Sequence, residues 1–78
     1  MNRRFVILYR PFMVSPQSLE TFDIDAKDLD SLAKKVSSFL NSKDLIFEEI
    51  TSISELCRKG KRLFKPINLG LIREKAGY

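Results

Sequence analysis

Five positive charges crowd into nine residues of this chain, in the stretch CRKGKRLFK at positions 57–65. Lysine and arginine at this density suit phosphate binding, and the glycine between them lets backbone N–H groups approach a phosphate closely. The aromatic side chain in the stretch can stack on an unpaired base. The candidate basic patch, which includes two arginines near the N-terminus if the two ends meet, comprises Arg58, Lys59, Lys61, Arg62, Phe64, Lys65, Arg3 and Arg4.

A local interpretation of the same stretch stays open. Cations near the end of a helix interact favourably with the helix dipole, and Arg58 and Lys59 would follow a predicted helix. Leu63 and Phe64 are residue types more typical of a core than of a base-stacking platform. Under this interpretation the segment is only the solvated end of a helix.

The middle of the chain has the opposite charge. The net charge is +4, but residues 12–56 hold four lysines and nine acidic residues, a net of −5, whereas residues 57–78 hold +6 and residues 1–11 hold +3. A divided surface of this kind suits electrostatic docking on a larger partner. The candidate acidic face comprises Glu20, Asp23, Asp28 and Asp30. The alternative is that these carboxylates cap a helix and solvate the surface.

No arrangement of residue types indicates catalysis. The chain has no histidine, the commonest general base. The single cysteine, Cys57, has two cations beside it, but its predicted place on the apolar side of a helix favours a packing role over a nucleophilic one. Glu48 and Glu49 would point to opposite faces of a strand. The aspartates lack the spacing of a calcium loop. We therefore expect a non-enzymatic protein with no cofactor and no metal.

The first half of the chain predicts two strands and a long helix. FVILYRPF, from Phe5, is apolar on both faces and is typical of a strand inside a sheet, which Pro11 ends. LETFDID, at 19–25, alternates so that Phe22 and Ile24 face the core. Residues 25–43 carry apolar side chains at helical spacing, which predicts an amphipathic helix capped by Asp25 and ending near residues 41–42.

The second half predicts a third strand in DLIFEEITSI, at 44–53, and then a short helix capped by Ser52 and stopped by Gly60. Pro66 and Gly70 interrupt the pattern that follows, so this segment is either a fourth, edge strand or an extended tail. The fold class expected is α+β: one domain over 1–78, a two-layer β-β-α-β-α-tail arrangement with three or four antiparallel strands, and an extended or flexible tail over 66–78.

Binding to a larger protein or nucleoprotein is the function expected first. The protein would act as an inhibitor or adaptor of a nucleic-acid-processing machine, a behaviour that phage and mobile-element anti-defence proteins such as anti-CRISPRs exemplify. The alternative is a small basic nucleic-acid-binding protein that uses the 58–65 segment. No apolar run approaches the roughly eighteen residues of a membrane span, so we expect no membrane partner. One cysteine suits a cytoplasmic setting. Monomer and homodimer both stay open.

Overall fold

The computed structural model describes residues 3–11, 19–58 and 62–78. Four strands and two helices follow one another along these segments. A 3₁₀ turn over Phe47–Glu49 precedes the third strand. The elements are β1 (Arg3–Tyr9), β2 (Glu20–Ala26), α1 (Leu29–Lys43), β3 (Ile50–Arg58), β4 (Arg62–Pro66) and α2 (Leu69–Ala76).

The strands form one antiparallel sheet in the order β2-β1-β3-β4, and residues of both helices join the core on one face of it. This is the two-layer α+β architecture that the sequence predicts, with the fourth strand present. A β-hairpin followed by a helix occurs twice, although the sequence shows no repeat. In both copies two residues separate strand and helix, and the second of them, Asp28 or Asn68, caps the helix by accepting a first-turn N–H.

The core lies between the helices and the two central strands. The apolar residues of β1 alternate, so every second side chain faces the helices, and α1 supplies the matching stripe. β2 contributes Ile24 and Ala26 to the same layer. The side chains that are completely buried are Phe5 and Ile7 of β1, Ile53 of β3, Leu32, Val36 and Leu40 of α1, and Ile72 of α2.

The cap of helix α1 lies three residues later than the predicted cap at Asp25, and the helix begins at Leu29. Asp25 and Ala26 still pair with β1, and the Asp28 carboxylate caps the helix by accepting from the Ser31 N–H at 2.8 Å. At the other end the helix continues to Lys43, and Asp44 adopts a left-handed conformation, φ 55°. Because Asp25 and Ala26 are paired in the sheet, the helix cannot start at Asp25, and Asp28 caps it instead.

The prediction of a short helix between Ser52 and Gly60 is wrong, because strand β3 occupies Ile50–Arg58. Its apolar residues Ile53, Leu56 and Cys57 fit helical spacing, but the segment pairs with β1 on one side and β4 on the other. A short apolar pattern does not distinguish a helix from a strand, and here pairing with two neighbouring strands makes the segment a strand. The third strand also starts later than predicted, because residues 47–49 form the 3₁₀ turn.

The C-terminal segment differs most from expectation. Residues 66–78, predicted as an extended or flexible tail, include only the last residue of β4 and then form α2. Asn68 caps this helix and Gly77, at φ 82°, ends it, as glycine commonly does at this position. Gly70 lies inside the first turn and hides the helical pattern in the sequence.

Candidate functional site

One face of the sheet carries neither helix, and we call it the open face. Strand register aligns its residues in rows across the sheet, so that Asp25, Arg4, Leu56 and Phe64 are successive neighbours from β2 to β4. No element of the described segments covers this face, which is therefore available to a ligand. Its described residues are Thr21, Asp23 and Asp25 of β2, Arg4, Val6 and Leu8 of β1, Ser52, Ser54 and Leu56 of β3, and Phe64 and Pro66 of β4.

The apolar part of the open face lies at the β3–β4 side. Phe64 is 60% exposed, the largest exposed fraction among the described large hydrophobic residues, and Leu56 beside it is half-buried. Val6 and Leu8 of the central strand are also half-buried on this face. The sequence predicts β1 to be apolar on both faces, and the helices cover only one of them. Phe64 therefore belongs to the surface rather than to the core.

Part of the basic segment at 58–65 lies in the paired strands β3 and β4. Arg58 and Arg62 are direct partners in the register of these strands. Lys59 and Lys61, also predicted for the basic patch, lie outside the described residues. Phe64 is two positions from Arg62 in β4, so the exposed ring belongs to the cation-rich stretch 57–65 of the sequence.

The two N-terminal arginines predicted for the basic patch lie on opposite faces of the sheet. Arg3 lies on the helix side, where its guanidinium donates to both carboxylate oxygens of Glu55 at 2.7 and 2.8 Å. These hydrogen bonds lower the pKa of the Glu55 carboxyl, against an opposing effect of its burial, and raise that of Arg3. Arg4 lies on the open face, where its Nε is 3.2 Å from a carboxylate oxygen of Asp25. Lys65 lies opposite Glu55, on the helix side.

The predicted acidic residues do not form one surface. Asp23 is on the open face, whereas Asp28 caps α1 in the other layer. Asp30, in the first turn of α1, pairs with Lys75 of α2, which lowers the pKa of the Asp30 carboxyl. Glu20 is beside Tyr9, whose hydroxyl pKa is raised by burial and by a hydrogen bond with Glu20. The sequence cannot show this separation, because it depends on the faces that strand and helix present.

A groove lies between β2 and α1, on the helix side of the sheet, with a volume of about 410 Å³. Phe22, 39% exposed, packs on Phe39 of α1 with ring centroids 4.7 Å apart. Lys35 donates a hydrogen bond from Nζ to the backbone carbonyl of Asp25 at the rim. We call this the β2 groove. Sequence patterns predict that Phe22 and the apolar stripe of α1 are core residues. The groove exists because these side chains do not pack completely against each other.

Comparisons with protein families, curated proteins and solved structures found no match to this chain. Within 3–11, 19–58 and 62–78, no cluster of three or more potential ligands is arranged to hold a metal ion. No helix in those segments is long and apolar enough to cross a membrane. Cys57 is half-buried, and its register position places it on the helix-side face. The open face and the β2 groove are therefore the candidate sites.

Proposed function

We propose that this protein is a non-enzymatic, single-stranded nucleic-acid-binding protein, and that the strand binds along the β3–β4 side of the open face. The observation that carries the proposal is an exposed aromatic side chain, Phe64, on a sheet face that no described element covers, within the cation-rich stretch 57–65 of the sequence. The cations of this stretch supply attraction to phosphate, and the ring supplies a surface for an unpaired base.

The stacking contribution depends on exposure. Phe64 lies opposite Leu56, so a base on the Phe64 ring would also contact the aliphatic side chain on β3. A base stacked on an aromatic side chain contributes about 1–3 kcal/mol with little sequence preference. Bases in a duplex are already stacked on each other and cannot reach the ring. The geometry therefore favours unpaired strands.

The charge contribution rests on the sequence, which places five cations within residues 57–65. The carboxylates at 25, 30, 48 and 55 form ion pairs with Arg4, Lys75, Arg73 and Arg3, all outside the hairpin. These ion pairs engage four carboxylates with cations outside 57–65 and so reduce their repulsion of a polyanion at that stretch.

The acidic strand β2 limits where a nucleic acid can bind. Asp23 and Asp25 share the open face with Phe64 but are three strands away, about 14 Å at the usual strand spacing. Repulsion from these carboxylates favours a path along β3 and β4 rather than across the sheet. The expected footprint is short, a few nucleotides. We assign this activity to the cytoplasm, where the Cys57 thiol stays reduced.

Fluorescence anisotropy with labelled single- and double-stranded oligonucleotides tests the proposal across a salt series. The Lys59→Gln/Lys61→Gln variant should weaken single-strand binding and lower the slope of log K against log salt by about 1.4, or about 0.7 for each phosphate that is no longer neutralised. The matched control is Lys34→Gln/Lys43→Gln, which removes two exposed charges from α1 in the other layer. It should leave the slope nearly unchanged.

The aromatic contribution has its own matched pair. Phe64→Leu should weaken binding about tenfold, whereas Phe22→Leu, at an exposed phenylalanine on the opposite face, should not. Equal losses in both lysine variants would mean non-specific attraction to net charge and would refute the site. Absence of binding even at low salt would refute the nucleic-acid-binding function. Docking on a protein partner, the function expected first from the sequence, would then be the proposal for the open face.

A further inference from the structure

The outer edge of β2 is unpaired within the sheet. β2 is first in the order β2-β1-β3-β4, and its residues Glu20–Ala26 pair only with β1 among the described strands. Lys35 donates a hydrogen bond to the backbone carbonyl of Asp25, so the backbone polar groups of Asp25 face away from β1. Because outward and inward residues alternate along an edge strand, Thr21 and Asp23 present their N–H and C=O groups in the same direction. This row can accept an added strand.

The β2 groove lies beside this edge and has the character of a side-chain site. Its floor is apolar, formed by Phe22, Ile24 and Phe39, and Ser38 and Ser42 contribute hydroxyls to the lining. The volume of about 410 Å³ is within the usual range of small-ligand sites. On an added strand, every second side chain would point to the helix side of the sheet and lie in the groove.

The other side chains of an added strand would lie on the open face next to β2. There the neighbours are Asp23 and Thr21, with Asp25 already paired to Arg4. Opposite charges on neighbouring strands are stabilising and like charges are destabilising. An antiparallel pairing of two β2 strands centred on Asp23 would place the Asp23 carboxylates of the two copies opposite each other. The edge therefore suits a basic partner and disfavours its own copy.

We propose that the β2 edge and groove bind an extended peptide segment of a protein partner, with apolar residues alternating with lysine or arginine. Backbone hydrogen bonds to Thr21 and Asp23 supply the pairing, the groove takes the apolar side chains, and Asp23 takes the cation. The hydrogen bond from Lys35 to Asp25 closes one end of the edge, so the segment is short. This site goes beyond the proposed nucleic-acid function and does not depend on it.

NMR of the ¹⁵N-labelled full chain, titrated with a short synthetic peptide of alternating lysine and valine, tests the proposal. Expected shifts are confined to Thr21, Phe22 and Asp23 and to Ser38 and Ser42 of the groove. Two probes serve as controls: alternating glutamate and valine, and the lysine peptide with a central proline, which removes a backbone donor. Both should bind more weakly or not at all.

Two variants separate charge from pairing. Asp23→Asn keeps the edge N–H and should weaken the lysine peptide about two- to fivefold. Asp23→Pro removes that N–H, a change that edge strands tolerate, and should abolish binding while signals elsewhere stay in place. If Asp23→Pro does not fold, Phe22→Ser tests the groove instead and should also abolish binding.

Three results would overturn the proposal. The first is no shift with the lysine peptide, or equal shifts with all three peptides. The second is a shift centred on Leu56 and Phe64, which would place the peptide on the open face. The third is a concentration-dependent shift at β2 without peptide, with a larger mass in sedimentation, which would mean that a second copy occupies the edge.

Discussion

Replacing Glu55 by glutamine tests the ion pair that has the least exposed carboxylate among the described ion pairs. The Glu55 side chain is only 14% exposed and receives two hydrogen bonds from Arg3, whose side chain is 40% exposed. The pair joins the first residue of β1 to β3, at the centre of the sheet. Glutamine keeps the size of the side chain and removes its charge, so the substitution isolates the electrostatic part of this interaction.

The expected loss at neutral pH is about 1 kcal/mol. Hydrogen bonds to charged groups contribute about 1.5–3 kcal/mol each in general, but solvent screens a pair that is partly exposed. Unfolding of a domain has an entropy of about 2.1 cal/mol/K per residue, or about 160 cal/mol/K for the 78 residues of this chain. A loss of about 1 kcal/mol therefore lowers Tm by about 6 °C.

The loss should depend on pH with a definite sign. Arg3 lowers the pKa of Glu55 in the folded protein, so the ion pair contributes fully above the unfolded pKa of about 4.3. Its contribution is lost as pH falls through the lower, folded pKa. Thermal unfolding followed by circular dichroism should show a Tm difference between parent and Glu55→Gln at pH 7. The difference should narrow below about pH 4 and close in stronger acid.

Glu48→Gln is the matched control, since it makes the same chemical change in an ion pair exposed to solvent. The Arg73 and Glu48 side chains are 48% and 52% exposed, so their 3.0 Å ion pair should contribute less than about 0.5 kcal/mol. A fall in Tm as large for Glu48→Gln as for Glu55→Gln would refute the reasoning from burial. A Tm difference that persists unchanged into acid would refute the assignment to the Glu55 charge.

Three other perturbations test separate parts of the fold. Ile72→Ala empties the only fully buried position of α2 among the described residues and should cost about 2–4 kcal/mol in urea denaturation, with m unchanged. Asp28→Ala removes the cap of α1 and should cost about 1 kcal/mol in the same measurement. The pKa of Tyr9 is raised by burial, so its neutral hydroxyl stabilises the fold below about pH 10 and that contribution fades at higher pH. Tyr9→Phe should unfold less readily than the parent in alkaline titration.

Local pattern determined the elements whose sequence has a single strong periodicity. The apolar stripe of α1 predicts a helix, and the β-branched and aromatic run from Phe5 to Tyr9, followed by Pro11, favours a strand in the interior of a sheet. With an antiparallel hairpin before the helix, these elements predict the two-layer α+β class that the structure confirms. Residues that carry this information lie close together in the chain, so their spacing alone is sufficient.

Tertiary pairing decided the second half of the chain. Residues 53–57 satisfy helix and strand patterns equally, and β1 and β4 resolve this ambiguity by pairing with β3 on both sides. The C-terminal helix is short for an isolated helix, and burial of Ile72 and the ion pairs of α2 hold it in place. Apart from β4, which follows β3 in a hairpin, these partners are distant in sequence, so local patterns do not indicate them.

The features of the candidate sites also divide into those that the sequence shows and those that depend on the tertiary structure. The sequence by itself determined that cations concentrate at 57–65 and carboxylates in the middle of the chain. Only the tertiary structure decided that Arg3 is paired with Glu55, that Phe64 faces outward, and that the acidic residues lie in different layers. The physical reason is that charge is a property of composition, whereas exposure and ion pairing depend on which distant strands and helices become neighbours.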